Sequence, residues 1–132
     1  MTDLRRINPH NLPVPRGYAH GILTPAGRTL FVAGQIGCDA DGVVREPDLV
    51  RQIDRALRHI TEVVREAGGT PERIARMTLY TTDIAGYRSR LKEIKVAWRR
   101  NMGSHYPAMS VIEVAGLFDP GAKIEMEATA VL

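Results

Sequence analysis

Between Pro47 and Ala67 the apolar residues Leu49, Ile53, Ala56, Leu57, Ile60, Val63, Val64 and Ala67 recur three and four residues apart, the period of a single helix face. A helix with one apolar stripe has to lay that stripe on another layer, so the rest of the chain must supply a matching surface. Pro47 suits the first helical turn, and Gly68-Gly69 frees the backbone to leave the helix. A second stripe, Ile84, Tyr87, Leu91, Ile94 and Trp98, follows Asp83, whose carboxylate can cap exposed helix N–H groups.

The matching surface comes from β-prone runs. Tyr18 to Thr24 and Thr29 to Ile36 are separated by the turn-rich Pro25-Ala26-Gly27-Arg28, which predicts a hairpin. Arg76 to Thr82, Met109 to Ala115 and Lys123 to Val131 add further strands, the last alternating Ile124, Met126, Ala128 and Ala130 with Lys123, Glu125, Glu127 and Thr129. Residues 1–16, with Pro9, Pro13 and Pro15, read as an extended lead-in. The order ββαβαββ predicts one α+β domain over 1–132, a mixed sheet with two helices on one face. Met109, Val111 and Ile112 put apolar side chains on both faces of their strand, so a sheet face is left for another surface to cover. Self-association, through a sheet face bearing Val111 and Glu125 that no helix of the chain is left to cover, follows as an expectation.

Composition narrows the function classes. The net charge of +3 is carried by 15 Arg and 3 Lys scattered among carboxylates, with only seven aromatic residues. A nucleic-acid binder would show a basic stripe interleaved with aromatics, so no nucleic-acid partner is expected. Cys38 is the only cysteine, and no basic start leads into an apolar run. Neither an internal disulfide nor secretion nor membrane insertion is expected, and a reducing cytosol is the predicted compartment. His10, His20, His59 and His105 are dispersed without metal-ligand spacing. The glycines form neither a phosphate loop nor a dinucleotide turn, so no metal or nucleotide cofactor is expected.

Glu125 and Glu127 share the face of the last strand that points away from the helices. Such carboxylates are ordinarily solvated. If a partner subunit covers that face, one of them becomes available for acid–base chemistry. His20 is by the same statistics an ordinary half-exposed strand residue, and Tyr18 an ordinary aromatic with its hydroxyl at the edge.

Five stretches, in order, resemble the RidA/YjgF family of reactive-intermediate imine deaminases, also called L-PSP endoribonucleases. They are Arg16-Gly17-Tyr18; Val32-Ala33-Gly34-Gln35-Ile36; Gln52 with the helix exit Glu66-Ala67-Gly68-Gly69; Tyr106-Pro107-Ala108-Met109-Ser110 with Glu113-Val114-Ala115; and Ile124-Glu125-Met126-Glu127-Ala128. The resemblance implies a chorismate-mutase-like fold, a homotrimer whose sheets meet around a central barrel, and small-molecule clefts at the subunit boundaries. It also implies cofactor-free hydrolysis of an enamine or imine to a keto acid and ammonia.

Carried over by position, Tyr18 is the pocket tyrosine, Gly34 the strand glycine and Glu125 the water-positioning glutamate. The carboxylate-binding arginine falls on Met109, the pocket serine on Ala33 and a helix asparagine on Leu91. Val111, His20 and Arg16 complete the expected lining. Methionine offers neither charge nor donor, and charge-assisted hydrogen bonds contribute roughly 1.5–3 kcal/mol each, so small 2-imino acids should bind one to two orders of magnitude worse. The expectation is a hydrolase of diverged specificity; the alternative is a non-catalytic ligand-binding trimer. The RNA-cleaving name finds no general base paired with a phosphate-binding group in this sequence.

Overall fold

A computed structural model describes residues 3–132. Its elements are β1 (Arg5–Ile7), β2 (Gly21–Leu23), β3 (Thr29–Ile36), α1 (Leu49–Glu66), a 3-10 turn (Pro71–Arg73), β4 (Ile74–Thr81), α2 (Ile84–Ser89), α3 (Leu91–Met102), β5 (Ala108–Glu113) and β6 (Ile124–Val131). Four strands form a mixed sheet in the order β3-β6-β4-β5, in which only β4 and β5 run parallel. The α+β class with helices on one face of a mixed sheet is therefore as the sequence predicts.

The amphipathic stripe of α1 buries Leu49, Ile53, Ala56, Leu57, Ile60 and Val64. They join one cluster with Met77 and Leu79 of β4, Ile124, Met126, Ala128 and Ala130 of β6, and Ile94, Trp98 and Met102 of α3. Each valine, leucine, isoleucine or methionine among them contributes about 1.5–3 kcal/mol by leaving water. Asp48 caps α1 by accepting from Arg51 N–H at 3.0 Å, so Pro47 stands just before the cap rather than in the first helical turn. Asp83 caps α2 as expected, accepting from Gly86 N–H at 2.9 Å. The second helical stripe is divided at Arg90, whose guanidinium reaches both Asp48 and Glu93 at 2.6 Å.

Buried polar groups pin the loops. Gln52 is fully buried, donates to Glu46 O at 2.7 Å and Gly121 O at 3.0 Å, and accepts from Lys123 N–H at 2.8 Å. One side chain thus ties the start of α1 to the loop that enters β6.

The expected hairpin does not form. β2 shrinks to three residues and pairs with β1 in a separate two-stranded sheet. Arg28 and Leu132 exchange both main-chain hydrogen bonds, at 2.9 and 2.8 Å, so the chain enters β3 already committed to β6. The lead-in consequently carries a short strand of its own, Arg5–Ile7.

His105 sits beneath this lead-in. Its Nε2 lies 2.7 Å from Ile74 O and its Nδ1 3.0 Å from Arg6 Nη2. A carbonyl only accepts and a guanidinium only donates, so the ring carries its proton on Nε2 and is neutral. Burial pushes its pKa below the ordinary value of 6.5. As pH falls the unfolded chain takes up this proton before the folded one does, so stability is full above about pH 6.5 and declines below it. Thermal unfolding between pH 7 and 5 should show this decline, and His105→Gln, which can still donate to Ile74 O, should flatten it.

Candidate functional site

Ala19 forms a parallel bridge with Ala108, and its N–H donates to Pro107 O at 3.0 Å. This lays Arg16-Gly17-Tyr18 along the free edge of β5. Gly17 adopts φ 74°, and a Cβ there would lie 3.9 Å from the Tyr106 ring. The turn needs a residue that accepts left-handed backbone, and glycine does so without strain. Tyr106 stacks on Trp98 with centroids 5.4 Å apart and planes within 5°. Trp98 Nε1 donates to His105 O at 2.8 Å, which fixes the indole on the floor.

Between this edge and the helices lies a cleft of about 720 Å³. Arg16, Gly17 and Tyr18 bound it on one side, and Met109, Val111 and Tyr106 on the sheet side. Tyr87 of α2 and Leu91, Ile94, Lys95, Trp98 and Arg99 of α3 close the helix side. Burial pushes the Tyr87 hydroxyl up to about 12, so it stays protonated at neutral pH and can donate a hydrogen bond.

Glu125 does not line this cleft. Ile124 and Met126 on either side of it are wholly buried in the core, so by strand alternation Glu125 points to the helix-free face. Its register partner Tyr80 shares that face, and the Tyr80 hydroxyl donates to Glu127 at 2.9 Å, which pushes the phenol pKa up. Val111 is in register with Leu79, a fully buried core residue, and Met109 with Met77, likewise buried. The expectation that Val111 and Glu125 share an uncovered sheet face is therefore overturned. They lie on opposite faces, because β5 joins β4 in a register that the sequence of neither strand reveals.

Gly34 lies in a bulge of β3, between Val32 paired to Ala128 and Gln35 paired to Met126. A Cβ on Gly34 would stand 2.5 Å from Glu125 Oε2, so the missing side chain is where the carboxylate rests. Ala33 borders a groove on the same face with Phe31, Glu127 and Thr129.

The predicted site residues thus form two groups on opposite sides of one sheet. Arg16, Tyr18, Leu91, Met109 and Val111 belong to the cleft; Ala33, Gly34 and Glu125 belong to the open face. His20 belongs to neither lining: its ring meets Tyr18 edge-on at 5.2 Å and its Nε2 lies 2.7 Å from Pro13 O, which ties down the lead-in and braces Tyr18. Sequence reasoning missed Tyr87, Lys95, Trp98, Arg99 and Tyr106 as lining. The available signal was the row Leu91, Lys95, Arg99 at four-residue spacing beside the buried row Ile94, Trp98.

The model of the endoribonuclease L-PSP family matches residues 10–132. The chain belongs to the RidA/YjgF family. Among curated relatives, it is 31% identical over 120 residues to a RutC family protein of Pyrococcus abyssi, covering 89% of each chain. It is 26% identical over 115 residues to the human 2-iminobutanoate/2-iminopropanoate deaminase, covering 86% of this chain and 79% of the human one. Among solved structures, it is similar to YyfB of Yersinia pestis, a Rid family protein of unknown function, at 34% identity with a TM-score of 0.88 over 99% of this chain and 100% of that one. No helix among the described residues of this RidA/YjgF protein is long and apolar enough to cross a membrane.

Two glycines of this RidA/YjgF chain test the packing account. Alanine at 34 meets the free end of a Glu side chain, which can swing aside. Alanine at 37 would meet the Gln52 backbone, Cα at 2.7 Å and O at 2.8 Å, which cannot. Urea unfolding should show Gly34→Ala costing under about 1 kcal/mol and Gly37→Ala about 1–3 kcal/mol or more.

Proposed function

We propose that this protein hydrolyses a reactive imine or enamine metabolite without a cofactor, in clefts completed between subunits of a homotrimer, with specificity diverged from small 2-imino acids. The observation that carries the reading is the separation of Tyr18 and Met109 from Gly34 and Glu125 by the thickness of one sheet. A single copy cannot bring the two groups to one substrate, whereas a neighbouring copy can present its open face to this cleft. That also gives the helix-free face, with Phe31 79% and Ile112 45% exposed, a reason to be apolar in part.

The chemistry needs one proton-transfer group and a held substrate. Water adds to the C=N carbon as Glu125 accepts a water proton, and Glu125 passes that proton to the nitrogen, leaving a neutral carbinolamine. Glu125 then takes the carbinolamine O–H proton and delivers it to the departing nitrogen as the C–N bond breaks and the C=O bond forms. The products are a keto compound and ammonia, so atoms and charge balance. Tyr18 and main-chain groups beside Gly34 supply hydrogen bonds. Support comes from the curated relatives that carry the name of 2-iminobutanoate/2-iminopropanoate deaminase and from the retention of Tyr18, Gly34 and Glu125. Met109, where the family resemblance puts an arginine, favours the second reading, a trimer that binds a ligand without turning it over.

Light scattering should give a trimer mass at micromolar concentration; a monomer would remove the shared cleft. Ammonia release from imines generated in place by an amino-acid oxidase or a dehydratase should be weak for 2-iminobutanoate. For a substrate that is turned over, Glu125→Gln should lower the rate about 10²- to 10⁴-fold with the trimer intact, while Glu127→Gln has little effect. Full activity in Glu125→Gln would leave the ligand-binding reading as the better account.

A further inference from the structure

The charge that one copy brings to the cleft is one-sided. Arg16, Lys95 and Arg99 line it and no Asp or Glu does. Among the described residues none of these three cations forms an ion pair with a carboxylate, whereas Arg45, Arg51, Arg90 and Arg100 do. The neighbouring groove between α1 and α3 is different: Arg90 and Arg100 there are matched by Asp48, Glu93 and Asp54. Exposed cations on a helix ordinarily just solvate. Lys95 and Arg99 differ because they stand in a row, one turn apart, directly beside the buried row Ile94 and Trp98 that forms the apolar floor.

Met109 extends that floor from the sheet side, and Tyr106 is stacked on Trp98. A ligand entering such a cleft finds positive charge along the α3 rim and apolar or aromatic surface below. Concave sites of this kind orient a ligand by a few polar anchors and gain affinity from the apolar part they cover. A four-carbon acid has a charge for the rim and almost nothing for the floor.

We propose that the cleft takes a carboxylate compound bearing a large apolar or aromatic group, with Lys95 and Arg99 of α3, aided by Arg16, supplying the counter-charge that position 109 on β5 does not. In effect the anion clamp has moved from the sheet to the helix, and the space and apolarity released at Met109 receive the ligand's side group. This assignment rests on the reading of the cleft as the substrate half of an imine-hydrolysing site, since a keto acid is the corresponding product.

Isothermal titration of the intact protein with three matched probes tests it: 2-oxo-4-phenylbutanoate, 2-oxobutanoate, which has the same head without the ring, and the ethyl ester of the first, which has the ring without the charge. The phenyl acid should bind at least tenfold tighter than either of the others. Replacing both cations, Lys95→Met with Arg99→Met, should weaken it about 10- to 100-fold, as expected for the loss of one charge-assisted hydrogen bond or more. Arg99→Lys alone should keep most of the affinity. Both side chains are exposed on one copy, and the unfolding midpoint together with the trimer mass by light scattering reports a folded, assembled variant. Equal affinity for 2-oxobutanoate or for the ester, or unchanged affinity in the double variant, would overturn the assignment. Ammonia release is measured separately: tight, cation-dependent binding without hydrolysis upholds this assignment while removing the hydrolase, and hydrolysis without the cation effect does the reverse.

Discussion

Strand β6 is hydrogen-bonded on both sides, to β3 and to β4, and its period-two alternation decides which chemistry lies on which face of the molecule. Ile124, Met126, Ala128 and Ala130 are drawn into the core by α1, and this forces Glu125, Glu127 and Thr129 outward. A slip of one residue would bury two carboxylates and expose four core side chains, so the register is held by the hydrophobic term itself. The position of Glu125 is therefore a by-product of core packing. The bulge of β3 then adds the local detail, opening at Gly34 a space that the carboxylate fills.

The cleft depends on a second chain of contacts that starts from a buried ring. His105, neutral and hydrogen-bonded on both nitrogens, fixes the loop between α3 and β5, and its carbonyl holds the Trp98 indole. Trp98 carries Tyr106, and Tyr106 backs the Gly17 turn that leads to Tyr18. The floor of the cleft is thus continuous with the helix–sheet core, while its rim cations Arg16, Lys95 and Arg99 form no ion pair among the described residues. A rigid apolar base with free charges above it is an arrangement in which ligand specificity can change by surface substitutions on α3 without disturbing stability.

What was legible in the sequence divides along the range of the interactions involved. The helix α1 is written in eight apolar residues at local spacing, the cap Asp83 and the helix exit at Gly68 are single-residue signals, and the strand alternation around Glu125 needs only neighbours in the chain. The failed hairpin is a non-local matter: Thr29 to Ile36 reads as a strand either way, but the Arg28–Leu132 exchange at the far end of the chain decides its partner. The face of Val111 was misread for the same reason, since a nearly continuous apolar run such as Met109 to Ala115 has no alternation to say which side is which. Lys95 and Arg99 were passed over because scattered helix cations usually mean solubility, and only the fold reveals which of them stand over a concavity. The motif resemblance did identify Tyr18, Met109, Gly34 and Glu125 together, but a linear motif cannot say that two of them face away from the other two.

That separation carries a consequence for how activity and assembly are linked under the proposed reading. If one copy supplies the bound end of the substrate and another the proton-transfer carboxylate, each subunit contact completes a cleft, and a monomer retains binding contacts with no route to hydrolysis. Mutations that loosen the contact would then lower the rate through the distance between Glu125 and the bound carbon, since misplacement by about 1 Å can already cost 10²-fold. Mutations on α3 would act on the bound end alone. The two effects are separable because the sheet lies between the groups, with Met77, Leu79, Ile124 and Met126 wholly buried on its helix side. The sheet thus fixes one half-site relative to the other within each chain, and the geometry of the neighbouring copy alone sets the distance across which the chemistry runs.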